Sequence, residues 1–168
     1  MIQKKICMLG AFAVGKTSLV QRFVQSIFSE KYHSTIGVKV DKKCTSVDGQ
    51  DINLILWDIH GEETFKKIQT SYLRGSSGYL LVVDGTRLET LDIAMKIRER
   101  VEMEIGVLPF VLVLNKCDLT DAWAISAEVE MELEQQGIVL FKSSAKSGQN
   151  VEAAFQFLAE KVMEKVVV

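Results

Sequence analysis

Proline is nearly missing from this sequence, with one residue in 168. No proline-rich linker runs through it, and no internal repeat or low-complexity tract divides it. An excess of one charge is missing too: 20 basic residues face 22 acidic ones, for a net charge of -2. A chain that grips nucleic acid electrostatically typically has a pI above about 9; here it is about 5.8. No apolar run approaches the roughly 18 residues of a membrane-spanning helix. The apolar part of the opening IQKKICMLG is too short for a secretory signal. Cysteine is scarce and poorly spaced for chemistry. Cys7, Cys44 and Cys117 are odd in number and form no C-x-x-C pair, so they read as reduced thiols and point to the cytoplasm.

What is present is ordinary globular composition, 48% apolar and 25% charged, in a length that suits a single domain over residues 1–168. Apolar runs alternate with amphipathic stretches. KKICMLG, VKVDKKCTSV, DINLILWD, GYLLVVD, PFVLVLN and IVLFKS read as strands. VDGQ, between the second and third, carries the Asp-Gly signature of a hairpin. KTSLVQRFVQ, residues 87–104 and ISAEVEMELEQQ read as helices. In the second, Leu88, Leu91, Met95, Ile97 and Val101 fall broadly at helical spacing. In a last helix, Val151, Ala154, Phe155, Leu158 and Val162 form one apolar face. Continuous apolar strands suit a mostly parallel sheet covered by helices on both faces, and the alternation predicts an α/β doubly wound fold. Ligands in such sheets lie beyond the carboxyl ends of the strands. Four strands here end in chemically loaded residues: Gly10, Asp58, Asp84 and Asn115.

The first of these ends opens GAFAVGKT, which satisfies G-x-x-x-x-G-K-[ST] through Gly10, Gly15, Lys16 and Thr17. Glycines let the chain turn tightly, so that backbone N–H groups and the following helix N-terminus cradle phosphates. Lys16 adds charge for the β and γ groups, and the Thr17 hydroxyl suits Mg2+. Asp58 and Gly61 supply D-x-x-G after a strand, an acid for the metal through water and an N–H for the γ-phosphate. NKCD, residues 115–118, pairs an amide with a carboxylate. A carboxylate that accepts from two N–H groups fits guanine N1 and N2. Adenine would leave Asp118 unpaired, a costly mismatch in a buried site. SSAK, residues 143–146, follows the last strand.

With GAFAVGKT, STIGVKV, WDIHGEE, NKCD and SSAK in this order and spacing, the chain resembles the small GTPases of the Ras superfamily, most closely the Rab branch, over roughly residues 4–163. The resemblance implies a six-stranded P-loop G domain that binds GTP or GDP with Mg2+ and hydrolyses GTP. Gly10, Ala13, Val14, Gly15, Lys16, Thr17 and Ser18 would then form the phosphate loop. Thr17, Thr35 and Asp58 would serve the metal, and Thr35 and Gly61 the γ-phosphate. Phe28 would lie over the guanine, Asn115 and Asp118 would read it, and Lys116 would lie along its plane. Ala145 would donate its N–H to the base, with Ser144 and Lys146 supporting that loop. Lys16, Thr35 and Glu62 would be the catalytic positions. Residues 29–40 and 58–73 would be the switches that meet effectors, exchange factors and activators.

Departures from the family's pattern bear on rate. Phe12 stands where a small or modest residue is usual. It occupies the approach of a partner's arginine finger, worth ~10³–10⁵ in rate, unless its ring folds outward and only packs. Glu62 replaces the glutamine that orients the attacking water. Two unit charges ~4 Å apart at a dielectric near 20 repel by about 4 kcal/mol, so Glu62 is expected to swing away and hydrolysis to be slow. His60 replaces alanine; a surface position and a proton-transfer role are both open to it. Trp57 and Tyr72 match the apolar surface by which Rab proteins meet effectors, but Val40 stands where an aromatic is expected. The sequence ends on KVVV without a prenylation cysteine, so membrane attachment is expected only if a lipidated tail was removed. The competing reading is a non-hydrolysing GTP-bound interaction module. An ATP-dependent P-loop enzyme is disfavoured by NKCD and SSAK.

Overall fold

The structure, a computed structural model, describes residues 2–25, 37–60 and 70–164. Its strands are β1 (Ile2–Gly10), β2 (Gly37–Val47), β3 (Gln50–His60), β4 (Gly78–Asp84), β5 (Phe110–Asn115) and β6 (Leu140–Lys142). Its helices are α1 (Lys16–Gln25), α2 (Thr70–Leu73), α3 (Glu89–Glu104), α4 (Ala127–Gln135) and α5 (Val151–Met163). The strands form one sheet in the order β2-β3-β1-β4-β5-β6, parallel throughout except for the antiparallel β2–β3 pair.

Side-chain alternation along the central strands explains the two layers of helix. Ile6 and Met8 of β1, Leu80 and Val82 of β4, and Val111 and Val113 of β5 join one apolar cluster with α1 and α5. Their neighbours Cys7, Leu9, Tyr79, Leu81, Val83, Leu112 and Leu114 join the other, with α3 and α4. A strand buried on both faces cannot show a polar alternation, and all seven residues of β4 are buried. On the first face Phe23 of α1 stacks on Phe155 of α5 with ring centroids 4.1 Å apart. The predicted apolar face of α5 is buried in full.

Local chemistry sets the ends. Asp48 and Gly49, both at positive φ (50° and 79°), make the two-residue hairpin turn that Asp-Gly predicts. Ser126 caps α4 by accepting from the Val129 N–H at 3.2 Å, so the helix starts two residues after the Ile125 of the sequence reading, and Ile125 is buried before the cap. Helix α3 starts at Glu89 rather than 87. Leu88 is therefore not on its apolar face and is 47% exposed. The Thr90 hydroxyl explains the late start. It accepts from the Asp84 N–H at 3.0 Å and lies 2.7 Å from the Arg87 carbonyl, pinning the strand end to the first turn of the helix.

Among the described residues, no helix is long and apolar enough to cross a membrane. The buried Tyr79 hydroxyl has no hydrogen-bond partner among the described residues, and burial pushes its ionisation well above the ordinary phenol range. An unsatisfied buried hydroxyl costs about 1–3 kcal/mol. Tyr79→Phe is accordingly expected to raise the denaturation midpoint, by about 1 kcal/mol of stability. A lower midpoint in chemical denaturation would show that the hydroxyl is satisfied.

Candidate functional site

The loaded strand ends meet at the carboxyl edge of the sheet. Register pairs Met8 with Asp58, Gly10 with Val82, Asp84 with Asn115 and Leu114 with Lys142. The loop from Gly10 to Lys16 rises between β1 and α1, and its carbonyl oxygens are held from outside. Lys16 Nζ reaches back across the loop to the Gly10 carbonyl at 2.9 Å. Asn115 Nδ2 donates to the Val14 carbonyl at 3.0 Å and Lys116 Nζ to the Ala13 carbonyl at 3.1 Å. Holding carbonyls outward is how such a loop keeps its N–H groups for an anion. Gly15 is required by this approach: at φ 103°, an added Cβ would come within 2.3 Å of Asn115 Nδ2. Ala13 and Lys116 both adopt left-handed backbone (φ 61° and 69°) and are bonded to one another. Strained backbone of this kind collects at ligand sites.

Lys16 is buried, which lowers its pKa to about 8 against an opposing pull from the Asp58 carboxylate. The Thr17 hydroxyl donates to Asp58 Oδ2 at 2.6 Å, and Asp58 is almost wholly buried. A hydroxyl and a carboxylate side by side at the mouth of the loop are hard oxygen donors of the kind Mg2+ takes. Ser18 is half-buried one residue further on.

The other end of the site is knitted across loops. Ser143 Oγ donates to Asn115 Oδ1 at 3.2 Å, and the Cys117 N–H to the Ser143 carbonyl at 2.9 Å. Ser144 is buried, and its hydroxyl donates to Asp118 Oδ1 at 2.8 Å. Ala145 is buried beside it, and Lys146 follows. The structure thus brings together Gly10, Ala13, Val14, Gly15, Lys16, Thr17, Asp58, Asn115, Lys116, Asp118, Ser144, Ala145 and Lys146. Phe28, Thr35, Gly61 and Glu62 lie outside the described residues, as does the side chain of His60.

Three residues central to this geometry carried no motif. Arg22 of α1 donates from Nε to the Ala145 carbonyl at 2.8 Å and from Nη2 to the Lys146 carbonyl, fixing the last loop. Asp84 accepts from Lys116 Nζ at 2.9 Å, from Arg87 Nε at 3.0 Å, and from the Thr86 N–H and hydroxyl at 2.9 and 2.6 Å. Burial alone would raise its pKa, but the bonds from Thr86, Lys116 and Arg87 outweigh it and hold the carboxyl below its ordinary value. Arg87 Nη2 in turn donates to the Phe12 carbonyl at 2.7 Å. The one signal available for Asp84 was an acid at the end of an otherwise apolar strand.

A strand, phosphate loop and helix, joined by hydrogen bonds to an Asn-Lys-Cys-Asp loop after β5, define a phosphate-loop nucleotide-binding protein. Comparison with known proteins makes the class specific. The model of the Ras family matches residues 5–164. The chain is also 37% identical over 164 residues to the Ras-related protein Rab-8B of Bos taurus and to that of Homo sapiens. Each alignment covers 96% of this chain and 79% of the relative. The chain belongs to the Ras family. It is a Rab-like small GTPase, a molecular switch that binds GTP and GDP with Mg2+ and works through regulators and effectors.

Asp84→Asn removes the charge on which Lys116 and Arg87 converge and is expected to cost about 1–3 kcal/mol. Because the folded-state pKa is depressed, the contribution of Asp84 is complete above about pH 4 and is lost as pH falls through the folded value. Melting curves of parent and variant should therefore differ at pH 7 and converge in acid. A constant gap down to pH 2–3 would remove Asp84 as the titrating anchor.

Proposed function

We propose the following division of labour in the nucleotide site. Lys16 and the phosphate loop, with Gly10, Ala13, Val14, Gly15 and Ser18, hold the β- and γ-phosphates. Thr17, Thr35 and, through water, Asp58 hold Mg2+, which supplies positive charge to the phosphate oxygens when bound. Asn115 and Asp118 read guanine, Lys116 lies along the base, and Ala145 offers its N–H to the base oxygen from a loop braced by Ser144 and Lys146. Phe28 covers the base and Gly61 meets the γ-phosphate. The observation that carries this reading is the direct hydrogen bonding of Asn115 and Lys116 to Val14 and Ala13. The group that would read the base and the loop that would hold phosphate are parts of one hydrogen-bonded unit. The reaction is in-line attack of water on the γ-phosphate, with Lys16 and loop N–H groups stabilising the charge that develops.

The intrinsic rate is low on this reading. A glutamine at 62 could both accept from the attacking water and donate to the phosphoryl oxygens; Glu62 can only accept. Phe12 is 39% exposed, and on this reading its benzyl group obstructs an arginine supplied by a partner. The activator therefore uses other chemistry. The second reading, a GTP-bound interaction module without turnover, rests on these two residues. Partner choice also departs from that of Rab proteins. Val40 lies opposite Trp57 in the β2–β3 register and is 51% exposed, a small apolar group where an aromatic would project. Lys5 Nζ sits 3.7 Å from the Trp57 ring centroid and adds positive charge to that surface.

In competition binding, GTP and GDP should displace bound guanine nucleotide at least ~10²-fold better than ATP, because adenine leaves the Asp118 carboxylate unpaired. Equal displacement by ATP would discard the assignment of Asn115 and Asp118. In single-turnover assays of preloaded GTP, Glu62→Gln or Phe12→Gly should hydrolyse faster than the parent. Rescue of a parent that leaves GTP intact for hours would favour the module. A fast parent would refute the inhibitory role of both residues.

A further inference from the structure

Three consecutive carbonyls of the phosphate loop are each held by a side chain from the sheet's other half. Val14 is held by Asn115 at 3.0 Å, Ala13 by Lys116 at 3.1 Å and Phe12 by Arg87 at 2.7 Å. The first two holders belong to the Asn-Lys-Cys-Asp motif. Arg87 belongs to no motif and lies in the turn between β4 and α3. We propose that Arg87 is a positioning residue for nucleotide retention: it straps the Phe12 end of the phosphate loop to Asp84, and its removal lets the bound diphosphate escape faster.

The chemistry of the fork favours this role. A guanidinium presents donors at fixed spacing on one rigid plane. Here Nε reaches Asp84 Oδ2 at 3.0 Å while Nη2 reaches the Phe12 carbonyl, so one group fixes loop and anchor together. The anchor is itself held: Asp84 is buried, and Lys116 and Thr86 bond the same carboxylate. Lysine at position 87 has a single nitrogen and no rigid fork, so it cannot reproduce this geometry. By the resemblance, Phe12 stands where the family usually has a small or modest residue, and the strap holds that residue by its backbone. The Arg87 side chain is 37% exposed, so water competes for its donors and the effect is moderate.

The proposal rests on the guanine-nucleotide site above. It is tested with the full chain loaded with fluorescent GDP and Mg2+, comparing the parent with Arg87→Ala and Arg87→Lys. Arg87→Ala is expected to raise the GDP dissociation rate roughly fivefold, as for loss of one charge-assisted hydrogen bond. Arg87→Lys should recover less than half of that change on a logarithmic scale. The phosphorus resonance of the bound β-phosphate should shift or broaden in Arg87→Ala, a signature that general destabilisation does not produce. An Arg87→Ala rate within twofold of the parent overturns the strap. Full recovery by lysine also overturns it, because charge alone then suffices. A faster rate with an unchanged β-phosphate resonance and a lowered melting temperature reduces Arg87 to a structural residue. If Arg87→Ala does not fold, Arg87→Lys still decides, since the strap requires it to release GDP measurably faster than the parent. A parent that holds no GDP refutes the nucleotide site itself; a parent that holds it beside an unchanged variant refutes only the strap.

Discussion

One buried carboxylate organises this site. Asp84 closes a strand that is otherwise apolar, and a bare charge there would be costly. It is stable because four donors converge on it, from Thr86 twice, Lys116 and Arg87. The convergence has a geometric result. Lys116 and Arg87 bond Asp84 and at the same time reach the Ala13 and Phe12 carbonyls. The loop that would receive phosphate is therefore tied, through two side chains, to a buried carboxylate at the end of β4. Electrostatic balance in the core and preorganisation of the site are one and the same requirement here.

The doubly wound sheet makes this possible. Parallel strands deliver their carboxyl ends to one edge, so residues separated by some hundred positions, such as Val14 and Asn115, come into hydrogen-bonding distance. Helices on both faces keep that edge rigid: Phe23 against Phe155 on one side, and α3 pinned to β4 through Thr90 on the other. Rigidity in the loops after β5 and β6 comes from small hydroxyls, Ser143 and Ser144, each bonded to a residue of Asn-Lys-Cys-Asp.

How much of this could be read beforehand depended on whether a residue's partner leaves a trace in sequence. The strands of the central sheet were legible because burial on both faces removes polar residues from them. The turn at Asp48 and Gly49 was legible because few residue pairs accept positive φ twice. Lys16, Thr17, Asp58, Asn115 and Asp118 stood out because a phosphate, a metal or a base demands particular groups at particular spacings. Arg22 and Arg87 did not, because they bind backbone carbonyls, which every residue carries and no pattern marks. Leu88 was misread because apolar spacing alone cannot locate the first turn of a helix; the Thr90 hydroxyl does that. Phe28, Thr35 and Glu62 owe their assignment to resemblance alone, and like Gly61, read from D-x-x-G, they lie outside the described residues.

The β2–β3 hairpin has a mechanical meaning. Its strands are paired without a break from Val47 and Gln50 at the turn to Gly37 and His60 at the open end. Lys39 stands opposite Asp58, and Val40 opposite Trp57. The open end therefore behaves as a closed zip. Neither edge can slide along the other by one residue without turning every side chain to the opposite face. Asp58 and the edge strand β2 are thus held in one register, with Lys39 as the residue that faces it across the ladder.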